Sequence, residues 1–433
     1  MKRSLQVGLI GFGMIGKVHA YGYATLPYYA PKLTVAPNIA CVVTSSYATA
    51  QAARETVGCK TFDIDYRRVT ENPDIDVVHI CTPNARHFTA LLSAIEHGKH
   101  IYCEKPVVSN VLEAKMIREA LDRRGVDGTP VYRGVTQTAF HMRGFPAIRR
   151  AKELIDAGRL GQILRYHVGY YHSSLLSPTA PFRWKHAEGG GVILDLASHA
   201  VDLVDYLIGL PRALVAQTTT ATPRRPIRAL NPDEKLRDVP SKPVVVEDSV
   251  TVMTRGLDRQ SAAKTVPMLQ SDELREYPDN AACSEKFRMP LAVADPDNGA
   301  AVTGVIEATK LASGAEDELR IDISGTRGAL RFSLMDPHYL EFCDATVPPQ
   351  VNGGGYGWLR IACGARYGEP NCDFPSPKST TGWVRAHVAS LASFYGALER
   401  GEQASPSLEQ GLRVQDALFA IQKSAQTREW ALL

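Results

Sequence analysis

The sequence has no apolar run approaching the ~18 residues that a membrane-spanning helix needs. It also has no C-x-x-C pair among its eight cysteines, no block of like charge, no internal repeat and no low-complexity tract. Each absence closes off a class. Met1-Lys2-Arg3-Ser4 leads straight into a strand and a glycine loop, so neither a spanning helix nor a secretory signal is expected, and the default location is the cytoplasm. The cysteines Cys41, Cys59, Cys81, Cys103, Cys283, Cys343, Cys363 and Cys372 follow no metal-type or disulfide-framework spacing. They read as reduced and mostly structural, and no metal is expected. Lysine and arginine number 49 against 46 acids, and the net charge of +3 is scattered, which leaves no footprint for nucleic acid or membrane. With 433 residues and 44% hydrophobic content the chain can bury sizeable cores in two or three domains. Small-molecule chemistry is what remains.

The first third alternates short apolar strands with helical patterns. Leu5 to Ile10 is a strand, Lys17 to Ala24 opens a helix, and a loop rich in proline and tyrosine (Leu26 to Asn38) delays the next strand to Ile39 to Val43. Thr61 and Phe62, Ile75 to Cys81, His100 to Cys103 and Pro130 to Val135 continue the strands, with helices at Ala48 to Thr56, Tyr66 to Thr70, Ala85 to His97 and Ala114 to Arg124. This grammar predicts an α/β domain over residues 1–134 with a parallel, doubly wound sheet and right-handed crossovers. Residues 135–433 read differently. Helices are expected at Pro146 to Ala157, Ala197 to Ile208, Gly382 to Leu398 and Ser407 to Thr427. Strands are expected at Gln162 to Tyr171, Ala213 to Thr220, Val244 to Arg255, Ala301 to Leu311, Glu318 to Ser324 and Ala329 to Ser333. That is an α+β domain with a large open, mostly antiparallel sheet, and the polar, proline-bearing stretch 255–298 reads as an insertion.

Gly11-Phe12-Gly13-Met14-Ile15-Gly16 joins the first strand to its helix. In G-x-G-x-x-G the first glycine makes the turn, the second admits a pyrophosphate and the third lets helix and strand pack closely, so this loop is the expected dinucleotide cradle. The acid that would bind the ribose 2′-hydroxyl of NAD after the second strand is missing. Thr44, Ser45 and Ser46 stand there instead, which favours NAD slightly and leaves NADP open. Thr82, Pro83 and Asn84, with His87, lie at the end of the fourth strand and are expected beside the cofactor. Glu104 and Lys105, in Cys103-Glu104-Lys105-Pro106, end the fifth strand at the same sheet edge and are likewise expected at the cofactor.

A second constellation is Gly189-Gly190-Gly191-Val192-Ile193-Leu194-Asp195-Leu196-Ala197-Ser198-His199. On a helix, Asp195 and His199 share a face and can hydrogen-bond, an arrangement that fixes an imidazole tautomer and supports proton transfer. Three consecutive glycines suggest that backbone passes close to a ligand such as the nicotinamide.

These segments together resemble the glucose-fructose oxidoreductase and inositol dehydrogenase family, often written Gfo/Idh/MocA. The likeness rests on GFGMIG followed by His19, TPNARH (Thr82 to His87), GKHIYCEKP (Gly98 to Pro106) and GGGVILDLASH (Gly189 to His199), with smaller echoes at Ala151 to Gly161, Glu247-Asp248 and Ile323 to Phe332. It implies catalytic roles for Lys105, Asp195 and His199, which are also expected at the substrate, and a second-domain sheet that joins copies into a homodimer or homotetramer. VIEATKLASG (Val305 to Gly314) and Pro181-Phe182-Arg183-Trp184-Lys185 are more similar to members acting on sugars, anhydrosugars and glycosides. Arg183 and Trp184, with Tyr171 and His172 at the end of a strand, are therefore expected at the substrate. The expected reaction is hydride transfer between nicotinamide and a secondary hydroxyl or ketone of a sugar, polyol or glycoside, with C3 of a glucosyl-type ring favoured. The alternatives are a glycosidase working through transient C3 oxidation and a non-catalytic cofactor-binding sensor.

Overall fold

The computed structural model describes residues 2–183, 186–187, 189–258, 302–347, 357–364, 374–376, 378–380 and 382–433. Trp184 and most of the 255–298 stretch lie outside the described residues. The chain begins with β1 (Arg3–Ile10), α1 (Met14–Tyr29), β2 (Val35–Val43), α2 (Tyr47–Val57), β3 (Thr61–Asp63) and α3 (Arg67–Thr70). It continues through β4 (Val77–Ile80), α4 (His87–Glu96), β5 (His100–Cys103), α5 (Val111–Asp122) and β6 (Thr136–Thr138). The six strands form one sheet in the order β3-β2-β1-β4-β5-β6, and all pairs are parallel. The strand order reverses between β1 and β4, so the crevice that binds ligands in such sheets opens at the carboxyl ends of these two strands.

Two local expectations are corrected. α1 runs on to Tyr29 through Pro27, because Leu26 is buried in the core, and β2 starts at Val35 rather than Ile39. The Pro130 to Val135 strand is absent: Pro130 makes an isolated bridge to Arg124, the Tyr132 hydroxyl turns back to donate to Lys99 O at 2.8 Å, and pairing resumes only at Thr136.

The second half holds α6 (Pro146–Asp156), β7 (Ile163–Tyr171), α7 (Ser198–Ile208), β8 (Ala213–Thr219), the small hairpin β9 (Arg224–Pro226) and β10 (Ser241–Pro243), and β11 (Ser249–Arg255). After it come β12 (Thr303–Thr309), β13 (Glu318–Gly325), β14 (Gly328–Ser333), β15 (Tyr339–Asp344), β16 (Trp358–Ala362), α8 (Trp383–Arg400), α9 (Leu408–Thr427) and β17 (Ala431–Leu432). Nine strands form a sheet in the order β16-β15-β14-β13-β7-β12-β11-β8-β17. Only β7 and β12 pair in parallel. The α/β plus α+β architecture is as expected. Strands β15 to β17 and the β9/β10 hairpin carry no sequence pattern strong enough to have been anticipated.

The closing helices return to the first sheet. Val388, Leu391, Phe394 and Tyr395 of α8 share a core with Leu5, Val7 and Leu9 of β1. On the opposite face Leu408 and Leu412 of α9 pack with Ile80, Ile101 and Val107. Full burial of a side chain of this size contributes about 1.5–3 kcal/mol, so this docking fixes the two halves around the crevice. Among the described residues, no helix is long and apolar enough to cross a membrane.

Candidate functional site

The glycine loop sits in the crevice. Gly11 has φ +98°, and a Cβ there would lie 2.6 Å from Cys81 O; one at Gly16 would lie 2.4 Å from Gly11 O. Both glycines are required by the chain itself. A Cβ at Gly13 would meet nothing within 4 Å, and Gly13 caps α1 without a side-chain hydrogen bond. The first-turn N–H groups of α1 are thus presented to open space, a fit for the pyrophosphate of NAD. Phe12 and Ile15 pack from below against the core, and Met14 is exposed.

Around the loop, the remaining cofactor candidates divide. Thr82 Oγ1 is buried without a hydrogen-bond partner. Pro83 leads into a short turn in which Asn84 Nδ2 donates to Gly189 O at 3.0 Å, tying the sheet edge to the glycine tract. The Thr44 hydroxyl bonds to Ser46 O and Thr49, and Ser46 caps α2, while Ser45 is exposed. His87 is fully buried, with its two ring nitrogens facing Pro106 O and Thr82 O. Glu104 is likewise turned inward, with Oε1 at 2.8 Å from His19 Nε2 and Oε2 accepting from Lys105 N.

Lys105 reaches across the crevice. Its Nζ donates to Asp195 O at 2.6 Å and to Asp195 Oδ1 at 3.2 Å. A second lysine, not anticipated, meets the same carboxylate: Lys310 Nζ lies 2.5 Å from Asp195 Oδ2 and is buried. The signal for it was present, since Gly304, Ile306 and Ala308 alternate inward along β12 and Lys310 continues that parity. Burial alone would raise the Asp195 carboxyl. The ammonium groups of Lys105 and Lys310 outweigh that and hold it well below the usual carboxylate range.

Asp195 and His199 do not hydrogen-bond, contrary to the helical spacing. Residues Ile193–Ala197 form a π-helical turn before α7, which widens the helix at Asp195 and turns its carboxylate toward the lysines. His199 instead lies in a ring cluster, 5.2 Å from His141, 5.9 Å from Tyr170 and 6.0 Å from Phe140 between centroids. Its Nδ1 is buried without a partner. Burial first, and Lys105 second, lower its pKa well below the ordinary imidazole value, so the ring is held neutral.

The glycine tract makes its close approach to the chain itself. Gly191 has φ +87°, and a Cβ there would sit 2.4 Å from Glu247 Oε1, the oxygen that accepts from Ile193 N. Tyr171 points to the far face of its sheet, donating to Glu307 Oε2 at 2.7 Å beside His167. Strand alternation sends its neighbour Tyr170 toward His199 instead, with its hydroxyl 2.5 Å from Asp317 Oδ1. His172 shares that carboxylate at 2.9 Å. Arg183 is exposed, and Trp184 lies outside the described residues.

Two family profiles match this chain: the NAD-binding Rossmann domain of an oxidoreductase family, over residues 5–129, and the Gfo/Idh/MocA C-terminal domain, over 148–261. The chain belongs to the Gfo/Idh/MocA family. Levoglucosan dehydrogenase of Pseudarthrobacter phenanthrenivorans is 29% identical over 99% of this chain and 98% of that enzyme. The structure of a levoglucosan dehydrogenase with NADH superposes with a TM-score of 0.81 at 28% identity, covering 99% of both chains. The scyllo-inositol 2-dehydrogenase (NAD(+)) of Bacillus subtilis is 30% identical over 48% of this chain and 55% of that enzyme. This Gfo/Idh/MocA member is accordingly an NAD-dependent dehydrogenase with a nucleotide-binding domain of the Rossmann type.

Two expectations for this Gfo/Idh/MocA site follow from its charges. Replacing Lys310 with methionine removes one of the two cations on Asp195, so its carboxyl pKa should rise. The acid limb of the pH–rate profile should move upward and turnover should fall about tenfold, equivalent to ~1.4 kcal/mol; an unchanged profile would disconnect Lys310 from the chemistry. His141 is also held neutral by burial, with His199 and Lys105 adding to the effect. Below about pH 6.5 the unfolded chain takes up protons on both histidines and the folded chain does not, which removes up to roughly 1.4 kcal/mol per histidine per pH unit. The melting temperature should therefore drop as pH falls from 7.5 to 5, and His141→Phe should flatten that slope.

Proposed function

We propose that the protein oxidises a secondary hydroxyl of a sugar-type ring, with C3 of a glucosyl or anhydrosugar ring as the reacting carbon, and that Lys105, Asp195 and His199 carry the reaction. The observation that supports this most is the single Asp195 carboxylate held between two ammonium groups beside a neutral, buried His199. One positive charge is left unmatched in that direct contact, which suits an oxygen on which negative charge develops. His199 takes the hydroxyl proton. Lys105 polarises the same oxygen, and Asp195 positions Lys105 and Lys310 rather than the imidazole. His172 and Tyr170, fixed by Asp317, offer a further polar wall for ring hydroxyls.

NAD bound at Gly11, Gly13 and Gly16 would accept the hydride. Its nicotinamide ribose is expected by Thr82 and Asn84, and its adenosine ribose by Thr44, Ser45 and Ser46. The substrate class rests on the full-length likeness to levoglucosan dehydrogenase, whose structure has also been determined with NADH and levoglucosan, at a TM-score of 0.80 and 26% identity. Copies are proposed to associate through the nine-stranded sheet. A panel of anhydrosugars, free sugars, glycosides and inositols, incubated with NAD and NADP separately, tests the assignment: anhydrosugars or glucosides should reduce NAD fastest, and a response limited to inositols would overturn the substrate class.

A further inference from the structure

Beneath the glycine loop lies a buried group of side chains that hydride transfer does not use. α1 presents His19 and, one turn later, Tyr23 to the parallel sheet; β4 and the residue that follows it bring His79 and Cys81, two positions apart. His19 and His79 are 1% and 0% exposed, and Cys81 is a free, buried thiol. In each histidine one ring nitrogen is already committed: His19 Nε2 to Glu104 Oε1 at 2.8 Å, and His79 Nδ1 to the Tyr23 hydroxyl at 2.9 Å. The other nitrogens, His19 Nδ1 and His79 Nε2, are buried with no hydrogen-bond partner. One nitrogen of each histidine and Cys81 Sγ all lie within 4.8 Å of one another.

Buried polar atoms are almost always partnered, because stripping water from them without replacement costs free energy. Two histidines that each keep one unpartnered ring nitrogen, clustered with a free buried thiol, therefore offer a place for an occupant. We propose that His19, His79 and Cys81 bind a divalent transition-metal ion of the zinc class. Two imidazoles and a thiolate are a donor set that zinc favours over hard oxygen-seeking cations. The committed nitrogens complete the pattern, since a metal-bound histidine characteristically holds its second ring nitrogen against a carboxylate or another polar group, here Glu104 and Tyr23. The charges also balance: a dication would be met by the Cys81 thiolate and by the buried Glu104 carboxylate behind His19. No cysteine spacing announces this site, because its ligands come from a helix and a strand well separated in sequence.

The ion would pin α1 to the end of β4. Cys81 O is the atom that a Cβ at Gly11 would strike at 2.6 Å, so the ligand strand is also the floor of the glycine loop. Metal occupancy then stiffens the dinucleotide cradle without entering the reaction.

The test uses the full-length protein expressed with zinc supplied. Elemental analysis after gel filtration should find about one zinc per chain, and chelator-treated protein titrated with Co2+ should develop a thiolate-to-cobalt charge-transfer band. Cys81→Ser should abolish the band, and both Cys81→Ser and His79→Gln should lower metal content at least about tenfold. Chelation should weaken NAD binding several-fold, with recovery on adding zinc. His387→Ala should keep both metal and band, because His387 falls in an overlapping group with His19 and Glu104 that does not include Cys81. Should the cysteine variant fail to fold, the cobalt band of the wild-type chain still decides. Folded wild-type protein that takes up neither zinc nor cobalt overturns the proposal, as does a cobalt band that survives in Cys81→Ser. Loss of metal in His387→Ala with retention in Cys81→Ser would overturn this choice of ligands.

Discussion

Lys105→Ala is expected to lower turnover by about two to four orders of magnitude while leaving NAD affinity within a few-fold of the parent. The side chain makes two hydrogen bonds to Asp195 and none to the glycine loop, so its removal strips charge from the reacting oxygen and not from the cradle. Asp195 would retain Lys310, and its carboxylate would stay ionised, so the loss reports the missing ammonium rather than a collapsed site. Stopped-flow kinetics of NADH formation, paired with a fluorescence titration of NADH, separates the two. A variant that loses dinucleotide binding in parallel with turnover would instead make Lys105 a structural brace between the domains.

His199→Ala should have a comparable effect for a different reason. General-base catalysis contributes about 10²–10⁴-fold, and among the described residues near Lys105 and Asp195, His199 is an imidazole that burial keeps neutral and whose Nδ1 nothing occupies. Its loss should be partly rescued by added imidazole, and by higher pH where the substrate hydroxyl ionises more readily. Lys105→Ala should show no imidazole rescue. His199→Ala that retains near-parental kcat would move the proton to another group, with His172, already oriented by Asp317 at 2.9 Å, the first to examine.

The parts of the structure that follow local rules were legible in the sequence. The strand-loop-helix at Gly11 to Gly16 is set by sterics within a few residues, and the doubly wound sheet by alternating strand and helix patterns. Lys105 and Asp195 were legible as chemistry, and they do meet. What was obscured depends on contacts distant in sequence. Helical spacing paired Asp195 with His199, but a π-turn and two lysines from other elements redirect the carboxylate. A one-residue difference in strand parity sends Tyr171 to the outer face and Tyr170 to the site. Glu104 and His87 sit in two motifs at the carboxyl edge of the first sheet, yet both are engaged in internal hydrogen bonds. Lys310 stood on the inward parity of a buried strand, a place where an unpaired lysine is costly, and that parity could have exposed it.

The most direct test of the account is the absorbance of NADH produced by the purified protein with NAD and a panel of anhydrosugars, sugars, glycosides and inositols, run beside Lys105→Ala. The account predicts reduction of NAD by at least one ring-hydroxyl substrate and its loss in the variant. Failure of every panel member to reduce NAD or NADP, or equal rates in parent and variant, would contradict it.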